Sequence, residues 1–136
     1  MLTGDERHRG GFRPDTSLEF GTIARDNIVT DSGFSLIRGA VVDQHFVRRR
    51  RANRLLSVVL ELPPHLGVGI DESTALVVHP DGKWTVAGSS VAWIFDARHA
   101  RITSPSAPTL GATGVSVQIL PAGSSYDPAT GKATLP

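Results

Sequence analysis

At 136 residues the chain has the length of one domain. Hydrophobic residues are 40% and charged residues 20% with a net charge of +1, which excludes a disordered chain and a globally basic polyanion binder. The absence of cysteine excludes disulfides, a thiol nucleophile and thiolate metal sites, and no apolar run approaches the ~20 residues of a membrane-spanning helix. Met1 is followed by Leu-Thr-Gly-Asp-Glu rather than by a charged and then an apolar region, so no secretory signal and a cytoplasmic location are expected.

Residues 1–34 are polar and rich in breakers (Gly4, Gly10, Gly11, Pro14) and read as a long loop, which in a compact domain is expected to line a site. Phe34 to Phe46 reads as the first strand, broken by Gly39, and it delivers Asp43, Gln44 and His45 to its carboxyl end, where open α/β sheets keep their chemistry. From Val47 to Leu60 the apolar positions Ala52, Leu55, Leu56, Val59 and Leu60 have the spacing of an amphipathic helix, ended by Pro63-Pro64. Arg48 to Arg51 then fall at the positive end of its dipole, each opposed by ~0.3–1 kcal/mol at an exposed site. That local conflict points to an anion, with guanidinium forks and the helix start holding a carboxylate or phosphate; the alternative is a solvated charged face.

Leu66 to Ile70 is a short buried strand ending in Asp71-Glu72-Ser73-Thr74. Ala75–His79 and Lys83–Ala87 flank Pro80-Asp81-Gly82 and predict a β-hairpin. Ser90 to Asp96 is a third apolar strand, His99 sits in a loop, and Val115 to Leu120 is a last edge strand, followed by turn and tail from Pro121 to Pro136.

The five histidines include no i, i+4 pair, so neither a metal nor another cofactor is expected. Nucleic acid is not an expected partner either, because no aromatic platform interleaves the arginines. Hydrolysis fits the Asp43-Gln44-His45 corner better, since an imidazole at a strand end can serve as general base to a serine if a carboxylate orients its other nitrogen. The candidate carboxylates are Glu6, Glu19, Asp43, Asp71 and Glu72. No Gly-Xaa-Ser-Xaa-Gly elbow supplies the nucleophile.

Asp43-Gln44-His45-Phe46, the arginines that follow, Asn53-Arg54-Leu55-Leu56 and Gly67-Val68-Gly69-Ile70-Asp71-Glu72-Ser73-Thr74-Ala75-Leu76 together resemble cyanophycinases and related serine peptidases, aspartyl dipeptidase among them. The resemblance implies an α/β fold, part of a three-layer α/β/α sandwich of the class I glutamine amidotransferase type, with a C-terminal hairpin and strands. It implies that His45 is the catalytic base and that Glu6, in a Gly-Asp-Glu segment, is the acid. It places Asp43, Gln44, Arg49, Arg51 and Arg54 in the substrate pocket; Asp43 and Glu72 would offer acceptors to a substrate guanidinium, and Arg48 and Arg50 would be solvated. The substrate would be an aspartyl-arginine peptide or polymer such as cyanophycin. Residues 1–100 would then be the carboxyl-terminal half of such a peptidase domain without its serine elbow, inactive alone, and 101–136 a Pro/Gly/Ser-rich extension with one edge strand. An unpaired apolar edge near Phe34 to Val42 would call for a serine-bearing amino-terminal half or a second copy as partner. The alternative from another class is a non-catalytic anion- or nucleic-acid-binding module using the Arg48–Arg54 helix.

Overall fold

Ala40-Val41-Val42 and Leu66-Gly67-Val68 are the buried runs on which the molecule is built. The computed structural model describes residues 3–4, 6–9, 23–25, 28–32, 35–107 and 109–136. In chain order these form strands β1 (Thr3–Gly4), β2 (Glu6–Arg9), β3 (Val29–Ser32) and β4 (Ala40–Gln44), then helix α1 (Ala52–Glu61). Strands β5 (Leu66–Ile70), β6 (Thr74–Val78), β7 (Trp84–Gly88) and β8 (Val91–Asp96) follow, then β9 (Arg101–Ile102), β10 (Ala112–Thr113), β11 (Ser116–Pro121), β12 (Ser125–Asp127) and β13 (Lys132–Thr134).

β4, α1 and β5 make a β-α-β unit: β4 and β5 are parallel, with Ala40 opposite Leu66 and Gln44 opposite Ile70. Both strand ends therefore finish at the same edge, side by side. β8 and β11 extend this sheet antiparallel, and the two-residue β1 closes its other side against Val41 and Val42, giving the order β1-β4-β5-β8-β11.

The period of two sends Val41 and Asp43 toward α1, and Ala40 and Val42 to the opposite face. On the first face α1 lies directly over β5, because Gly67 has no side chain: a Cβ there would stand 3.2 Å from Leu55 Cγ and closer still to Val59. The second face carries a four-stranded sheet, β13-β12-β7-β6, whose Trp84, Val86 and Tyr126 pack on Val42, Val68, Ile94 and Leu120. Trp84 and Tyr126 meet with ring centroids 5.6 Å apart.

The molecule is thus mixed α/β, as the sequence leads one to expect, and the hairpin around Asp81-Gly82 and the edge strand at 116–121 stand where they were read. Among the described residues the layers are helix, sheet, sheet, and a sheet occupies the face where the implied sandwich would have helices.

Four readings are corrected. Residues 1–34 are not all loop: β2 and β3 form an antiparallel ribbon with Arg7 opposite Asp31, whose polar residues carry no apolar alternation to betray it. The strand before His45 begins after Gly39 (φ 69°), not at Phe34, a residue outside the described ones. Pro121 to Pro136 is not a tail; β12 and β13 pair with each other and β12 with β7. The edge at β4 is covered in part by β1.

The helix is also shorter than its periodicity suggests. It starts at Ala52, not Val47, with Arg51 at the cap and neither a side-chain cap bond nor an acid in the first turn. Residues 45–50 form a turn in which Arg50 has φ 51°. The row of cations at the dipole's positive end disfavours helix there, and tertiary ion pairs draw the guanidinium groups away in different directions.

Candidate functional site

The parallel pairing of β4 and β5 brings two polar strand ends together: Gln44-His45 follows one, Asp71-Glu72 the other. His45 Nδ1 lies 3.2 Å from Glu72 Oε1. The second oxygen of Glu72 accepts a bond from Arg48 Nη1 at 2.9 Å, so one carboxylate bridges the imidazole and a guanidinium. This cluster is open to solvent, with side-chain exposures of 47% for His45 and 36% for Glu72. With the Nδ1 hydrogen donated to Glu72, Nε2 keeps a lone pair that no described residue engages, which is the arrangement a general base needs.

Phe46, the next residue, anchors the turn in the core through its ring. That ring is buried, lies against Trp93 and Phe95 at centroid distances of 5.9 and 6.0 Å, and sits over Gly69. A Cβ at Gly69 would stand 2.7 Å from Phe46 Cδ2, so the second glycine of Leu-Gly-Val-Gly-Ile is what lets the aromatic floor approach.

Asp43 belongs to a separate, buried cluster. Its side chain is 0% exposed; Arg54 Nε donates to Oδ2 at 2.8 Å and Arg54 Nη2 donates to Oδ1, making a bidentate pair. Arg51 Nη1 donates to Asp43 Oδ1 at 3.1 Å and to the Gln44 carbonyl at 2.6 Å. Burial, then repulsion from Arg54, lowers the Arg51 pKa against the attraction of Asp43. The expectation that Asp43 offers an acceptor to a substrate guanidinium does not fit this placement, because the chain's own arginines occupy both of its oxygens. Arg54, 8% exposed, is likewise turned inward.

Gln44 and Arg49 are exposed beside His45, the Arg49 N–H donating to the His45 carbonyl at 3.0 Å, and no described residue bonds the Arg49 side chain. β1 runs antiparallel to β4, so from Thr3 to Gly4 the chain heads away from the His45 end, and Glu6 pairs with Ser32; the Glu6 side chain and Glu19 lie outside the described structure. The carboxylate found at His45 is Glu72, which the sequence reading had made an acceptor for a substrate guanidinium. Arg48, read as solvated, is the second partner of that carboxylate. The signal available in the sequence was the pairing itself: two buried runs joined by one helix make parallel neighbours, whose following residues must be adjacent.

No family model matches the chain. Among curated proteins it is similar to cyanophycinase of Trichormus variabilis, 41% identical over 81 residues, or 60% of this chain and 26% of that protein. Cyanophycinase of Synechococcus elongatus is 38% identical over 73 residues, 54% of this chain and 23% of that protein, and the Geminocystis herdmanii enzyme 39% identical over 72 residues, 53% and 26%. The matched stretch spans about a quarter of the length of these relatives.

Proposed function

The chain being related to the cyanophycinase family over more than half of its length, we propose that it carries the base-and-acid part of a cyanophycinase-like serine peptidase site, with His45 as general base and Glu72 as the acid that orients it. The observation that carries this reading is the 3.2 Å contact between His45 Nδ1 and Glu72 Oε1 on a half-exposed imidazole. The serine would come from polypeptide beyond these residues, which contain no nucleophile elbow. His45 Nε2 would take the proton of that hydroxyl as its oxygen attacks an aspartyl carbonyl, then return it to the departing amine. A water activated the same way would release the acyl group.

Arg49 and Gln44, exposed beside His45, are the groups to contact a β-linked aspartyl-arginine unit, the guanidinium gripping a carboxylate. Arg51, Arg54 and Asp43 support that surface from within rather than touching substrate. The alternative, a polyanion-binding module, draws less support: of the five clustered arginines, Arg51 and Arg54 serve Asp43 and Arg48 serves Glu72.

Calorimetric or NMR titration of the chain with β-aspartyl-arginine tests the reading. Binding that is lost in Arg49→Ala is expected, with no hydrolysis by the chain alone. Salt-dependent binding of unrelated oligonucleotides without peptide binding would overturn it in favour of the polyanion module.

A further inference from the structure

His45 sits in a turn whose backbone is in an unfavourable conformation. His45 has φ 52° and Arg50 φ 51°, and across from them Ser73 has φ 53°, all in the left-handed region that side chains avoid. Such a turn persists only if its surroundings hold it. Its N–H groups can be followed one by one: Phe46 donates to the Ile70 carbonyl at 3.2 Å, Arg49 to His45 at 3.0 Å, Arg50 to Val47 at 3.0 Å and Arg51 to Phe46 at 3.0 Å. Arg48 N–H goes instead to a side chain, Asp71 Oδ1, at 3.3 Å. Asp71 Oδ2 accepts from the Ser90 hydroxyl at 2.8 Å, while Ser90 N–H donates to Thr74 Oγ1 at 3.1 Å and Ser89 N–H to the Ser73 carbonyl at 2.9 Å. Arg48 therefore meets both neighbouring acids, its backbone held by Asp71 and its guanidinium by Glu72.

We propose that Asp71 is a positioning residue: its carboxylate ties the His45 turn to the Glu72 loop and so keeps the imidazole Nδ1 against Glu72. Resting on the reading of His45 as base, this adds a residue outside the base and its acid on which that pair depends. The electrostatics agree with the geometry. Burial pushes the Asp71 carboxyl up, but hydrogen bonds from the Ser90 hydroxyl and from the Glu72, Arg48 and Val47 N–H groups outweigh it and hold the group below its ordinary value.

Two NMR readouts on the ¹⁵N-labelled full chain test this without any peptide. At about pH 9, where an ordinary imidazole is neutral, the His45 ring nitrogens report which one carries the hydrogen, and an acid titration reports which carboxylate the Arg48 amide senses. The unaltered chain is expected to show the Nδ1–H form of His45 and an Arg48 amide that shifts with a midpoint below the usual aspartate value. In Asp71→Asn the amide response disappears and the Nδ1–H form gives way to Nε2–H, with β7 and β12 amides unmoved. Ser90→Ala, a milder change, shifts both in the same direction by less. Glu72→Gln loses the Nδ1–H form but keeps the amide response. Retention of the Nδ1–H form in both Asp71→Asn and Ser90→Ala, or an amide response surviving Asp71→Asn, overturns the proposal. Failure of the unaltered chain to bind β-aspartyl-arginine overturns the peptidase reading instead and leaves these readouts standing.

Discussion

Replacing Asp43 by alanine removes a carboxylate that two guanidinium groups share beneath the site. Asp43 is 0% exposed, and the side chains of Arg54 and Arg51 are 9% and 15% exposed. Arg54 cannot regain water without lifting α1 off β4, whereas Arg51 keeps the Gln44 carbonyl. Removing one partner of a buried pair costs ~3–5 kcal/mol, because the other charge is left desolvated. Set against the ~5–15 kcal/mol of a whole domain, this is about a fifth of the stability or more. Urea unfolding followed by Trp84 and Trp93 fluorescence measures it: at ~1–3 kcal/mol per molar urea, the midpoint is expected to fall by ~1 M or more with the slope unchanged. The double variant Asp43→Ala/Arg54→Met removes both charges of the pair and is expected to recover part of the loss. A loss below ~1 kcal/mol in Asp43→Ala, or a double variant costing the sum of its singles, would refute the assignment of Asp43 to a buried ion pair that supports the fold.

Gly69→Ala forces the Phe46 ring out of its seat and is expected to cost ~1–3 kcal/mol in urea unfolding, together with loss of the His45–Glu72 hydrogen bond in ring-nitrogen spectra; Gly67→Ala, against Val59 and Leu55, should destabilise comparably but leave that bond in place. Hydrogen bonding to Arg98 lowers the Asp96 pKa and the Asp71 pKa is lowered as well, so stability from both is complete above the unfolded aspartate value and is lost as pH falls through the lower folded values. A stability profile in urea should be level from pH 7 to about 5 and fall below about 4, and Asp96→Asn should flatten that fall. Burial raises the Tyr126 phenol to about 12, so its contribution is full below the unfolded value and is lost as pH rises from about 10 to about 12; Tyr126→Phe should remove this alkaline decline.

Local chemistry is what the sequence alone determined. The apolar runs at 40–42 and 66–70, the periodic positions from Ala52 to Leu60 and the Pro-Asp-Gly turn each state an element through contacts a few residues long. His45 was legible as the pivot of any chemistry only in the sense that it ends a buried strand among polar groups, and the resemblance to cyanophycinases rested on the same stretch. Helix onset at Ala52, the ribbon of β2 and β3, and the pairing of β12 with β7 were hidden, because each is decided by partners far along the chain rather than by a local period. The division of the acids is the clearest case. Asp43, Asp71 and Glu72 are alike as sequence, all acids at or just beyond strand ends. Tertiary structure makes the first a buried counter-ion to Arg54, the second a backbone acceptor at the turn and the third the partner of His45. Side-chain alternation turns Asp43 inward under α1, and the parallel register of β4 and β5 sets Asp71 and Glu72 beside the turn that follows Gln44; neither consequence exists until the two strands pair.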